Sequence, residues 1–307
     1  MSQREAMAAR EQAFPRLMTS AGGNSVAVSA RQDGKLDVVS GVTGENFPVA
    51  LRLLPRACRG HLLAVYGFAR FVDDAGDEAK PGDRMWLLDL VDSDLDRLYT
   101  GATPCLQAVR ALAPTVTACA IPAEPLRKLV RANRRDQVVT RYDTFEELLG
   151  YCELSANPVG HLVLHVFGQA TPERMALADR VCSALQVVEH CQDVGEDFGR
   201  GRVYLPAKDL HEHGCAEADL AGPTTPRALR RVLAVQTSRA ARLLDEGRPL
   251  VAALTGHARP AVAGYIAGGL ATIAALRRAD HDVLGHAVRP RRARWLASWL
   301  RLLAKER

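Results

Sequence analysis

No two of the seven cysteines stand in a Cys-x-x-Cys spacing, and their number is odd. That excludes a disulfide framework or a zinc ribbon and points to a reducing, intracellular setting. No unit repeats with a period of about 20 to 50 residues, so solenoid and propeller arrays are out. Gly (24) and Pro (16) sit near average usage, too few for a collagen-like or low-complexity chain. Aromatic residues make up only 5% of the chain; a nucleic-acid-binding surface would interleave them with a broad basic patch, so no nucleic-acid partner is expected. The first residues are rich in Arg, Glu and Ser without an apolar stretch, and no signal peptide is expected. The longest run free of both charged residues and histidine, Pro260 to Leu276, has 17 residues and is interrupted by Gly264, Gly268 and Gly269. It is short for a membrane span and reads as a buried core helix. No Gly-x-Gly-x-x-Gly joins a strand to a helix, so a nicotinamide site is not expected.

What remains is a chain of 307 residues, 48% hydrophobic and 24% charged, enough for one large core or at most two small ones. Residues 1–42 carry few bulky apolar side chains and read as a flexible N-terminal extension. Beyond them, apolar residues recur at spacings of three and four. Leu51, Leu54, Cys58, Leu62, Val65 and Phe68 form one series, and Leu87, Leu90, Val91, Leu95 and Leu98 another. Further helices are predicted over Pro125 to Val139, Thr144 to Gly168, Pro172 to Val194, Pro226 to Leu254 and Pro260 to Arg277. Several open at a proline, whose missing N–H costs nothing in a first turn. No alternating strands separated by hairpin turns are present. The predicted fold is all-α, a bundle with some helices buried all round.

Two acidic constellations stand out. Asp73-Asp74-Ala-Gly-Asp77-Glu78 closes one apolar helix, with Asp73 and Asp77 four apart on one face. Glu189, Asp193 and Asp197 recur at four-residue intervals at the end of another. Like charges at that spacing destabilise a helix unless a cation lies between them. An oxygen-only donor set without an organised His or Cys group points to Mg²⁺, which takes one or two carboxylates and completes its shell with water and substrate phosphate. A phosphorylated substrate follows, and Arg70, Arg200, Arg202 and Tyr204 lie beside the two clusters. Arg suits phosphate because its planar fork donates two parallel hydrogen bonds.

From Thr43 to Pro290 the sequence resembles the squalene/phytoene synthase family. The resemblance is carried by Glu45-Asn-Phe-Pro-Val-Ala50, Ala64-Val-Tyr-Gly-Phe-Ala-Arg70 with Asp73-Asp74-x-x-Asp77-Glu78, Tyr151-Cys-Glu-Leu-Ser-Ala-Asn-Pro-Val-Gly160, Gln186 to Asp197, and Gly201-Arg-Val-Tyr-Leu-Pro206. It implies an isoprenoid-synthase helical bundle with a central active-site cavity over residues 43–288. It also implies an isoprenoid diphosphate substrate, Mg²⁺ held by Asp73, Asp77, Asp193 and Asp197, and diphosphate bound by Arg70, Arg202, Tyr204 and Asn46. Tyr66, Tyr151 and Gln186 resemble catalytic residues lining the reacting part of the pocket. The Glu-Asn-Phe-Pro and Ser-Ala-Asn-Pro-Val-Gly blocks resemble the branch that converts presqualene diphosphate into hydroxysqualene, which implies coupling to a separate presqualene diphosphate synthase. The alternatives are head-to-head coupling of two allylic diphosphates, and a non-catalytic assembly or lipid-binding protein that keeps the fold. Two departures stand out: Glu189 replaces a common Asn and adds a carboxylate for the metal, and His281 replaces the usual Tyr before Asp-Val-Leu.

The net charge of +5 is uneven: residues from Arg289 onward carry +6 and the rest −1. Residues 289–307 read as a basic amphipathic helix, with Trp295, Leu296, Trp299, Leu300, Leu302 and Leu303 on one side. Such a helix lies in a membrane interface or packs its apolar side on the bundle. The expected localisation is cytoplasmic, peripheral at the inner face of the membrane in the first case.

Overall fold

The computed structural model describes residues 54–305. The extension over residues 1–42, the Glu45 to Ala50 stretch with Asn46, and Leu51 lie outside the described residues. The chain is all-α: among the described residues there is no strand, only an isolated parallel bridge between Arg141 and Val203. The helices are α1 (Arg56–Asp77), α2 (Arg84–Thr100), α3 (Gln107–Ala118), α4 (Ala123–Asp136), α5 (Phe145–Ser155), α6 (Asn157–Val166), α7 (Pro172–Gln192), α8 (Val194–Gly199), α9 (Ala207–Glu212), α10 (Arg227–Gly247), α11 (Leu250–Ala253), α12 (Ala258–Arg278) and α13 (Arg292–Lys305).

Local chemistry sets most of the boundaries. Thr144 and Thr171 cap α5 and α7, their side chains accepting from the N–H groups of Glu147 and Arg174. Gly101, at φ +82°, ends α2 in the left-handed conformation that glycine adopts without a Cβ clash. The helix expected over Thr144 to Gly168 is two, α5 and α6, divided at Ala156. Pro158 has no N–H for the ladder, and its ring disfavours helical backbone just before it. The stretch from Pro226 to Leu254 is likewise divided, at Pro249, into α10 and α11. Helix α3, which the sequence reading omits, contains Pro114 and still buries Val109, Leu112 and Val116; packing overrides the local penalty there.

The buried side chains fall into two clusters. One is built from α1, α2, α3, α4 and α6, around Phe68, Leu88, Leu95, Leu112 and Leu126. The other is built mainly from α5, α7, α10 and α12, around Val187, Leu229, Leu233, Leu244 and Ile266. Helix α6 serves both, placing Leu162 and Val163 in the first and Leu164 in the second. Its Asn157 accepts from Ser183 on α7 at 2.9 Å, so this motif residue sits in the α6–α7 contact. Each fully buried Leu or Phe contributes roughly 1.5–3 kcal/mol relative to exposure. Because α1 ends in the first acidic motif and α7 in the second, the two motifs are delivered from opposite cores.

Helix α12 is the one described helix long and apolar enough to cross a membrane, and it is mostly buried in the bundle, as the core-helix reading expects. Helix α13 packs on it. The indole N–H groups of Trp295 and Trp299 donate to the carbonyls of Gly264 (3.1 Å) and Pro260 (2.8 Å). The two indoles stack with centroids 5.6 Å apart. The tryptophans and Leu302 are thus turned toward the bundle, whereas Leu296 and Leu300 are exposed.

Candidate active site

Tyr66, Arg70, Asp73 and Asp77 follow one another at intervals of four, three and four residues, which places them on one face of α1. Asn133 on α4 donates from Nδ2 to Asp73 Oδ1 at 2.9 Å. Gly76 makes that approach possible, because a Cβ there would collide with the Asn133 side-chain oxygen. Gln137 Nε2 also donates to the Gly76 carbonyl at 3.0 Å. Asp73 is exposed by surface area although protein atoms crowd its carboxyl. That crowding pushes its carboxyl up to about 6; the Asn133 hydrogen bond opposes the shift and neighbouring Asp77 adds to it. Arg70 Nε lies 2.9 Å from Asp74 Oδ1.

The second motif bends where α7 ends. Asp193 leaves helical geometry at φ −99° and ψ 12°, and α8 begins at Val194. The ladder nevertheless continues across the bend: Asp193 N–H donates to the Glu189 carbonyl at 2.9 Å and Asp197 N–H to the Asp193 carbonyl at 2.8 Å. The expected single helix from Pro172 to Val194 therefore stops at Gln192 with its acidic column nearly preserved. Burial, then the charges of Asp197 and Glu196, raise the Asp193 carboxyl to about 6. Glu189 is on the exposed side of α7. The adjacent His190 is buried, with Nδ1 3.5 Å from Asp197 Oδ2 and Nε2 3.3 Å from Gln186 Nε2.

One arginine joins the motifs. Arg202 donates from Nη2 to Asp77 Oδ1 at 2.6 Å, while its backbone N–H donates to the Asp197 carbonyl at 2.9 Å. The turn that presents Arg202 passes through Gly201 at φ +82°. Arg141 pins it, donating to the Gly201 carbonyl at 2.7 Å and, in a two-pronged pair, to Glu217 at 2.7 and 2.9 Å.

Beneath these groups lies Asp136, which sequence reasoning misses. It is buried at the end of α4 and accepts from the hydroxyls of Tyr151 (2.6 Å) and Tyr204 (3.1 Å). The Tyr204 ring stacks on His190 at 3.8 Å, and Tyr142 stacks on Tyr204 at 5.8 Å. Desolvation raises the Asp136 carboxyl. Burial, with Asp136 next to them, holds the Tyr151 and Tyr204 hydroxyls above the usual phenol range, so both stay protonated donors. The signal that could have found Asp136 is the one that found the motifs, an acid closing an apolar-faced helix, but here it is a single residue.

The structure therefore gathers Asp77, Asp197, Arg202, Tyr204, Tyr151 and Gln186 into one connected network, with Asp73 and Asp193 beside it. Glu189 is exposed on α7, four residues before Asp193, and Tyr66 is half-buried on the α1 face. The donors are oxygens, and two of the carboxylates are raised by burial and like charge, so a divalent cation fits the set electrostatically. Among the described residues no three His, Cys, Asp or Glu side chains converge on one point. A cation here would take one or two carboxylates from a motif and fill its shell with water and substrate oxygens, the habit of Mg²⁺.

The Squalene/phytoene synthase family model matches residues 42–299. The chain is 37% identical to the hydroxysqualene synthase of Rhodopseudomonas palustris over 218 residues, covering 69% of this chain and 72% of that protein. It is 31% identical to the presqualene diphosphate synthase of the same organism over 199 residues, covering 64% and 71%. Among solved structures, the squalene synthase HpnC from Alicyclobacillus acidocaldarius superimposes with a TM-score of 0.71 at 38% identity, covering 90% of this chain and 96% of that one.

Proposed function

The chain belongs to the squalene/phytoene synthase family, and from that premise we propose that it is a hydroxysqualene synthase acting on presqualene diphosphate. The observation that carries the diphosphate-eliminating chemistry is Arg202, which spans both acidic motifs through Asp77 and the Asp197 backbone. The choice of water capture over coupling is supported by the higher identity to a hydroxysqualene synthase than to a presqualene diphosphate synthase.

In the proposed reaction the carbon–oxygen bond to diphosphate breaks and both electrons leave on oxygen. The carbocation rearranges, a water oxygen bonds to the cationic carbon, and one proton is released. Mg²⁺, when bound, would supply positive charge to the departing diphosphate. Asp73 and Asp77 would hold it from α1, and Asp193 and Asp197 from the α7–α8 bend, with Glu189, four residues before Asp193, as a further carboxylate. Arg202, exchanging Asp77 for phosphate oxygens, would bind the leaving group, and Arg70 would do the same on leaving Asp74. Tyr66, Tyr151 and Gln186 would line the hydrocarbon end. The Tyr151 and Tyr204 hydroxyls are committed to Asp136, which keeps the phenols protonated and their rings fixed, and electron-rich ring faces stabilise a nearby cation. A separate enzyme would supply the presqualene diphosphate.

The test is a paired incubation with Mg²⁺ and without NADPH, using farnesyl diphosphate in one tube and presqualene diphosphate in the other, with mass spectrometry of the extracted lipids. Hydroxysqualene from presqualene diphosphate alone is the expected result. Presqualene diphosphate formed from farnesyl diphosphate would replace this reading with head-to-head coupling. Activity on presqualene diphosphate that survives EDTA would overturn the role of the metal.

A further inference from the structure

Several surface arginines on other helices are matched to carboxylates. On α4, Arg127 pairs with Asp92 and Asp96, Arg131 with Glu124, and Arg134 with Asp89 and Asp92. The C-terminal end of the bundle breaks that pattern. From Val283 to Lys305 there is no Asp or Glu, against Arg289, Arg291, Arg292, Arg294, Arg301 and Lys305. Arg278, at the end of α12, lies within electrostatic reach of Arg291 and Arg294, and among the described residues it pairs with no carboxylate. An uncompensated cationic cluster of this kind recruits an anionic surface.

The face that α13 leaves outward completes the picture. Trp295, Trp299 and Leu302 are committed to α12. A second apolar stripe then remains on the outer half of the helix. At 100° per residue, Leu296, Leu300, Ala293, Ala304 and Ala297 follow one another around the circumference, with Arg301 and Arg294 at the far edge. Leu296 and Leu300 are 46% and 54% exposed, and Ala293, Ala297, Ala304, Arg294 and Arg301 are exposed as well. The helix is therefore amphipathic twice, once toward the bundle and once toward the outside. The inward face also anchors it: the Trp295 ring packs beside Gly264, and Arg259 donates to the Leu303 carbonyl at 3.1 Å. The outward stripe is thus held in place rather than free to fold back onto the core.

We propose that the outer face of α13, with Arg278, Arg291, Arg292 and Arg294, is a preformed docking surface for an anionic lipid bilayer, in which Leu296 and Leu300 enter the headgroup boundary and the arginines contact lipid phosphates. Charge chooses this occupant over a second copy of the chain, whose own cationic cluster would be brought against this one across a two-fold interface. It also chooses an anionic bilayer over a neutral one, since two leucines alone bury little apolar area.

The experiment is vesicle flotation of the full chain without substrate, so it is independent of the proposed reaction. Vesicles of phosphatidylcholine alone are compared with vesicles in which about one lipid in three is phosphatidylglycerol. Binding is expected only to the anionic vesicles, and it should weaken as salt is raised. Each arginine near an anionic surface is worth a factor of about five, so Arg291→Gln/Arg292→Gln/Arg294→Gln should lower the partition coefficient about 100-fold. Leu296→Ser/Leu300→Ser should lower it at least about 10-fold while salt dependence persists. All five side chains are exposed, so both variants should melt with the parent protein, and the melts are recorded alongside. Equal binding to neutral vesicles, or unchanged binding by both variants, would overturn the proposal. So would a dimer in sedimentation equilibrium that is abolished by Leu296→Ser/Leu300→Ser in a protein that binds neither vesicle.

Discussion

Asp136 supplies the sharpest test of how this site is held. Its carboxylate is the shared acceptor for the hydroxyls of Tyr151 and Tyr204 at 2.6 and 3.1 Å, in a buried setting. A hydrogen bond to a charged group contributes roughly 1.5–3 kcal/mol, and removing the acceptor leaves the donors' desolvation uncompensated. Against that, Asp136→Ala relieves the cost of burying the carboxylate itself, which its raised pKa records. The balance is a loss of about 3 kcal/mol, and for a domain of this size that lowers the melting temperature by about 6 °C. Asp136→Asn keeps one acceptor and offers an amide donor to the other phenol oxygen, so it should cost about 1 kcal/mol. Thermal unfolding followed by circular dichroism reads both. The decisive control is a double-mutant cycle: once Asp136 is gone, Tyr151→Phe removes a buried hydroxyl that has already lost its partner and should cost nothing further or recover part of the loss. Additive effects of Asp136→Ala and Tyr151→Phe, or a melting temperature for Asp136→Ala within about 2 °C of the parent, would refute the shared-acceptor account.

Gly76→Ala should be destabilising by about 1–3 kcal/mol although alanine is the better helix former. Its methyl group meets the Asn133 side chain, so Gly76→Ala/Asn133→Ala should regain much of the stability in a urea melt while leaving Asp73 without its donor. Arg141→Ala breaks an exposed pair with Glu217 and should cost under about 1 kcal/mol. It also releases the Gly201 turn, so the KM for the diphosphate substrate should rise several-fold with little change in melting temperature; an unchanged KM would show that the turn holds Arg202 without help. His281 is buried, its Nε2 3.0 Å from Thr237 Oγ1, and burial lowers its pKa below the usual 6.5. Just below pH 6.5 the unfolded chain therefore binds a proton that the folded chain does not, so this residue's contribution is complete above that pH and is lost as the pH falls. Urea melts from pH 7 to 5 should show a shallower decline for His281→Gln than for the parent, and parallel curves would exclude His281 as the source.

Much of this was legible in the sequence, and for a local reason. Helix periodicity, proline start signals, and carboxylates four residues apart are relations within a few turns of one chain segment, so they survive without tertiary information. The all-α fold, the two acidic motifs and the family resemblance all rest on them. The errors are local conflicts decided by packing: α3 forms around Pro114 because Val109, Leu112 and Val116 are buried. In the opposite sense, Pro158 and Pro249 each divide a helix that apolar spacing alone would have continued.

The site's connections are another matter. Asn133 and Asp73 are 60 residues apart, and Arg202 and Asp77 are 125 apart; no spacing rule relates them, and only the docking of α4 on α1 and the placement of the turn after α8 beside Asp77 bring them together. Asp136 is silent in the sequence because a single buried acid has no pattern, and becomes visible only when Tyr151 and Tyr204 arrive from two other segments to share it. In α13 the sequence established the amphipathic composition, but not which apolar residues turn inward. Packing against Gly264 and Pro260 decides that, because α12 offers a flat surface and two carbonyls where an indole can both bury its ring and satisfy its N–H.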